Sequence, residues 1–174
     1  MPFRLGVAPF AKHENKQWGL QNIIVFIDIC IKKHADSHIL LFGGGAAEIA
    51  ELAKIHALFP KNTTVVAGKY SLIEEIELMQ TLDVMLCMDS SNLHLAALAG
   101  VATVSVWGAT HPSVGFAPYG SPQRNRIVQT AVAELPCRPC SVFGDKPCFR
   151  GDKMCMASIA PEQVWSAVEE IIFP

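Results

Sequence analysis

The residues best suited by type and spacing to do chemistry lie in the run Cys87-Met88-Asp89-Ser90-Ser91-Asn92-Leu93-His94-Leu95-Ala96-Ala97. An apolar stretch from Val84 to Met88 stops at Asp89, whose carboxylate suits the N-cap of a following helix. The backbone N–H groups of Ser90 and Ser91 would then lie unpaired at a helix start. Such a terminus carries partial positive charge and free donors, so it favours an anion or a phosphate-bearing ligand. His94 follows Ser91 by three residues and shares its face near that terminus. The same pattern also fits a simple capped helix with a partly exposed surface histidine.

Other polar positions carry similar alternatives. Lys12 and Lys16 fall in a loop ahead of Trp18, which could fix that loop by packing. A lysine there would serve as a point charge on a phosphate, or remain a solvated surface group. Glu48 sits just after Gly43-Gly44-Gly45, where it could accept hydrogen bonds from sugar hydroxyls or simply favour a helix N-terminus. The three glycines do not have the spacing of the dinucleotide fingerprint, and no P-loop is present. They suit a backbone that passes close to a ligand or a neighbouring loop. Cys137, Cys140, Cys148 and Cys155 offer four thiols on one short stretch. They could hold a structural zinc, but the second pair lacks tight spacing. Cys30 and Cys87, set in apolar runs, show that this chain also uses cysteine as a small buried residue, and a reduced, packed loop is the plainer reading. No base is identifiable beside any of them for nucleophilic catalysis.

The elements that must position these residues alternate. Apolar runs at 3–8, 39–42, 64–67, 84–88 and 103–107 read as strands, with 126–128 as a last short one. Between them, helical spacing runs from Leu20 to Lys32-Lys33, over 46–59, and from a Ser71 cap with Glu74 to about Thr81; a further helix begins after Asp89. Five strands alternating with helices predict a Rossmann-like parallel α/β sheet flanked by helices, with right-handed crossovers. Ligands in such sheets sit outside the carboxyl ends of the strands, so the loops after Ala8, Phe42, Ala67, Met88 and Trp107 should line one edge together. The stretch 111–125 reads as loop and 130–156 as an irregular cysteine-bearing loop; Pro161 opens a C-terminal helix over 160–173.

The whole chain, 1–174, reads as a single domain. A net charge of −2 without a lysine or arginine run argues against nucleic acid or a membrane surface as a general partner. The hydrophobic fraction of 51% is scattered in short runs, none reaching the roughly 18 apolar residues of a transmembrane segment. The start, Met1-Pro2-Phe3-Arg4-Leu5-Gly6, lacks a leader layout, which places the protein in the cytoplasm.

Met88-Asp89-Ser90-Ser91-Asn92-Leu93-His94-Leu95-Ala96-Ala97 followed by Gly100, then Val104-Ser105-Val106-Trp107-Gly108-Ala109-Thr110-His111-Pro112 and Pro118-Tyr119-Gly120, resemble the heptosyltransferases of glycosyltransferase family 9. Ala8-Pro9 with Lys16-Gln17-Trp18, Ala67-Gly68-Lys69-Tyr70-Ser71-Leu72, the cysteine tail to Cys155-Met156, and Pro161-Glu162-Gln163-Val164 extend the resemblance over nearly the whole chain. That family builds the lipopolysaccharide inner core from ADP-heptose, using GT-B enzymes with two Rossmann-like domains. The resemblance implies that this chain corresponds to the C-terminal, donor-binding half, with no counterpart of the N-terminal acceptor domain and its catalytic aspartate. It further implies ADP-heptose as donor substrate, no cofactor, a lipopolysaccharide core acceptor reached through the missing domain, and a place at the inner face of the bacterial inner membrane. Another nucleotide-sugar donor on the same fold, or a non-catalytic nucleotide-binding module, are the alternatives. By similarity Lys16, Ser90 and Ser91 would meet the diphosphate, Asp89 the sugar hydroxyls, Glu48 the ribose, and His94 the loop or the phosphates. No catalytic base is assigned to this chain, so it should bind the donor without turning it over alone. The family usually has glycine where Ser91 stands; a side chain there would crowd a diphosphate or add a hydroxyl donor.

Overall fold

A computed structural model describes residues 2–120 and 124–173. The expected loop over 111–125 therefore has three positions, 121–123, outside the described residues, as are the first and last residues of the expected single domain. Six parallel strands form one sheet: β1 (Arg4–Ala8), β2 (His38–Leu41), β3 (Thr63–Val65), β4 (Val84–Met88), β5 (Ala102–Trp107) and β6 (Asn125–Gln129). Their order in the sheet is β3-β2-β1-β4-β5-β6, with β1 paired to both β2 and β4. This is the doubly wound arrangement, in which the chain leaves β1 towards one edge and later returns to its other side as β4.

Alternation along the strands divides the core. Val84, Leu86 and Met88 face one layer, with Ile23 and Phe26 of α1 (Leu20–Lys33), Leu52 of α2 (Gly45–Leu58), and Val164 and Trp165 of the C-terminal helix. Met85 and Cys87 face the other, with Met79 of α3 (Leu72–Met79) and Leu93 and Ala96 of α4 (Ser91–Leu98). Strands buried on both faces are why these stretches read as continuous apolar runs. Near the centre, a Cβ on Gly6 would lie 2.6 Å from Leu82 Cδ1 and 3.0 Å from Met85 Cγ, so glycine lets the side chains ahead of and within β4 pack closely on β1.

Local signals account for the helix boundaries. Ser71 caps α3 in a full capping box, accepting from the Glu74 amide while Glu74 accepts from the Ser71 amide. Lys32 and Lys33 close α1 at its negative end. Two expectations need correction. Asp89 does not cap α4: the N-cap is Ser90, in extended conformation and without a side-chain cap bond. The cysteine-bearing segment is not wholly irregular, because α5 (Met154–Ala157) forms within it before α6 (Pro161–Ile172). Elsewhere the segment is held by one buried cation. Arg138 donates to the carbonyls of Trp107, Gly108, Thr110 and Thr130 and to Gln129 Oε1, tying the segment to the end of β5.

Candidate functional site

At the carboxyl ends of the strands, where β1 and β4 part company, a cleft of about 610 Å³ opens. Lys16, Glu48, Asp89, Ser90, Ser91 and His94 all line it, although they come from the loops and first helical turns after β1, β2 and β4. The chain reversal between β1 and β4 leaves their following loops diverging on opposite faces, which is why the crevice forms there.

The loop after β1 is tied to the core and to itself. Trp18 is buried and its Nε1 donates to Ile159 O at 3.0 Å, so the indole does hold this loop by packing. Gln17 Nε2 adds a bond to Ala11 O at 2.8 Å. Lys16, at the end of a single 3-10 turn, thereby enters the cleft from a fixed base. Its ammonium lies 2.9 Å from Asp89 Oδ2, with the two side chains 13% and 4% exposed. Thr110 Oγ1 donates to the same Oδ2 at 2.7 Å. Two donors on one carboxylate oxygen pull Asp89 inward, which explains why it abandons the capping role. The other oxygen, Oδ1, has no partner among the described residues and remains an acceptor.

α4 starts one residue later than expected and its first amides stay available. Among the described residues no protein acceptor meets the N–H groups of Ser90, Ser91 or Asn92, and the Ser90 hydroxyl is buried without a hydrogen bond. Lys16, Ser90, Ser91 and Asn92 thus line one cleft with amides that meet no acceptor among the described residues and an ammonium paired to Asp89, donor types that suit an anion. Glu48 performs the plainer of its two roles, accepting from the Gly44 amide at 2.8 Å, and still borders the cleft. The Glu75 carboxyl, in the first turn of α3, is pushed above its ordinary range by burial.

Sequence reasoning missed Phe10, Leu72, Glu75 and Phe116 along the cleft. Leu72 and Glu75 follow the Ser71 cap in the loop expected at this edge, so their position was a usable signal; Phe116 has none. Among the described residues no group of three or more His, Cys, Asp or Glu side chains is placed to hold a metal ion. Cys137, Cys140, Cys148 and Cys155 are free thiols. No helix among the described residues is long and apolar enough to cross a membrane.

A doubly wound parallel sheet with a cleft at its switch point defines a Rossmann-like α/β domain. Residues 4–146 match the model of glycosyltransferase family 9 (heptosyltransferase), and the chain belongs to that family. It is 25% identical over 172 residues to lipooligosaccharide heptosyltransferase 2 of Campylobacter jejuni, covering 97% of this chain and 50% of that protein. Among solved structures it resembles the E. coli ADP-heptose lipopolysaccharide heptosyltransferase II, with a TM-score of 0.75 at 18% identity over 97% of this chain and 46% of that one. The E. coli heptosyltransferase WaaC with ADP overlays with a TM-score of 0.74 at 16% identity, covering 97% and 44%. The chain thus spans about half the length of the relatives it matches.

Proposed function

We propose that this chain is the donor-binding domain of a lipopolysaccharide core heptosyltransferase and that its cleft takes ADP-heptose. One observation carries the reading: the Lys16–Asp89 pair and the start of α4, whose first amides meet no acceptor among the described residues, line the same cleft. The diphosphate would rest against the amides and the Lys16 ammonium, and Asp89 Oδ1 would accept from the sugar hydroxyls. Glu48 would reach the ribose with the carboxylate oxygen that does not bind Gly44, and His94 would border the phosphates.

When the acceptor hydroxyl attacks the anomeric carbon, the bond to the diphosphate breaks and negative charge gathers on the leaving oxygen. Donors already fixed in place stabilise that charge without reorganising. Asp89 neutralises part of the Lys16 charge in the resting site, so the ammonium is held ready without being left buried and unpaired. The residue that accepts the acceptor's proton belongs, in this reading, to a second domain that carries the lipopolysaccharide core acceptor at the cytoplasmic face of the inner membrane. This chain alone would bind ADP-heptose and not transfer the sugar.

Calorimetric titration with ADP, UDP and GDP tests the assignment. ADP should bind tightest; a preference for UDP or GDP would move the chain to another nucleotide-sugar, and no binding of any would remove the nucleotide reading. Lys16→Ala should weaken ADP binding about tenfold, the scale of one charge-assisted contact.

A further inference from the structure

The cysteine-bearing segment packs from outside the sheet on Lys16, one of the residues lining the cleft. Ser141 to Asp145 form a tight turn in which Ser141 Oγ accepts from the Gly144 amide and donates to Asp145 Oδ1, both at 2.8 Å. Gly144 has φ +71°, and a Cβ there would lie 2.7 Å from Lys16 Cδ, 2.8 Å from Lys16 Cγ and 3.2 Å from Thr110 Cγ2. The bare backbone of the turn therefore lies flat on the methylene stem of Lys16 and against Thr110. Those are the two residues whose donors converge on Asp89 Oδ2.

The turn is anchored to the same two loops. Asn15 Nδ2 donates to Lys146 O at 2.6 Å, the Cys140 amide donates to Ala109 O at 2.8 Å, and Lys153 pairs with Glu14. None of these bonds touches the cleft, yet together they set the height of Gly144 above Lys16. A free lysine side chain spreads over many rotamers, and ordering it opposes binding. A wall against its stem removes that freedom in advance, which raises affinity without adding a contact to the ligand.

We propose that Gly144 is a positioning residue for the anion site, acting through Lys16. This rests on the donor-site reading above. The absence of a side chain at Gly144 keeps the Lys16 ammonium at Asp89 and towards the diphosphate; any Cβ displaces the stem and with it the charge.

The test is a double-mutant cycle on the whole chain, read by ADP titration, with Gly144→Ala, Lys16→Ala and the pair. Gly151→Ala serves as the matched control. Gly151 lies in the same segment at φ +76° with nothing within 4 Å of a Cβ, so it carries the backbone strain alone. Gly144→Ala should weaken ADP binding about tenfold. It should cost nothing further once Lys16 is alanine, and Gly151→Ala should bind as the parent does. Ser141→Ala, which unlatches the turn without adding an atom, should give a smaller loss that also vanishes without Lys16, and decides the matter if Gly144→Ala fails to fold. Binding within twofold of the parent for Gly144→Ala, or the same loss on both backgrounds, overturns the proposal. Lys16→Ala that binds ADP like the parent would instead sink the donor-site reading, and with it this inference.

Discussion

Residue chemistry in this protein depends on which neighbour reaches a group first. Asp89 has the type and position of a helix cap, but Lys16 and Thr110 claim one of its oxygens and bury it. The thiols show the same dependence. Burial pushes Cys30 up to about 11 and raises Cys87 further. Cys148 moves the other way, because the backbone amides of Lys153, and then of Arg150 and Gly151, point at its sulfur. A thiol held low by amide donors is largely thiolate at a lower pH, and the thiolate is the nucleophile. Cys148 should therefore be alkylated first by iodoacetamide and at a pH where Cys30 and Cys87 are silent, as peptide mass spectrometry would show. Equal labelling of Cys30 and Cys148 in the folded chain would contradict this account.

Two elements hold the site in place from a distance. α3 owes its start to the Ser71–Glu74 capping box, and its first turn supplies Leu72 and Glu75 to the cleft. Ser71→Ala should cost about 1 kcal/mol in urea denaturation. The segment from Cys137 to Cys155 has one short helix and is held mainly by hydrogen bonds, those of Arg138 above all. Truncating Arg138 to alanine would leave four carbonyls without that donor. The expected loss is about 3 kcal/mol or more, since each buried acceptor left unpaired costs about 1–3 kcal/mol. A drop below 1 kcal/mol would show that water replaces the guanidinium. The capping box was legible from Ser71 and Glu74 because both partners lie within one turn. The role of Arg138 was not, because its acceptors lie at and just past the ends of β5 and β6 and no local pattern links them.

For the molecule as a whole, a ligand bound in the cleft would join segments that leave different strands. Anything that binds the folded chain alone raises its stability by mass action, about 2.7 kcal/mol at a ligand concentration 100 times the dissociation constant. ADP should shift the denaturation midpoint accordingly, and Lys16→Ala should need about ten times more ADP for the same shift; a midpoint unmoved by ADP would deny the site. The sequence by itself determined the alternation of buried strands and helices, the parallel sheet, the edge where the loops gather, and the family. The first three are written in spacings of a few residues, which hydrophobic burial and helix geometry read directly; the family was legible only as a resemblance of short motifs such as Met88–Ala97. Only the tertiary structure decided that β4 returns beside β1, that Asp89 turns from cap to ion-pair partner, and that Gly144 lies on the stem of Lys16. Those outcomes depend on atoms brought together across the sheet, and no periodicity within a single element encodes which distant group arrives.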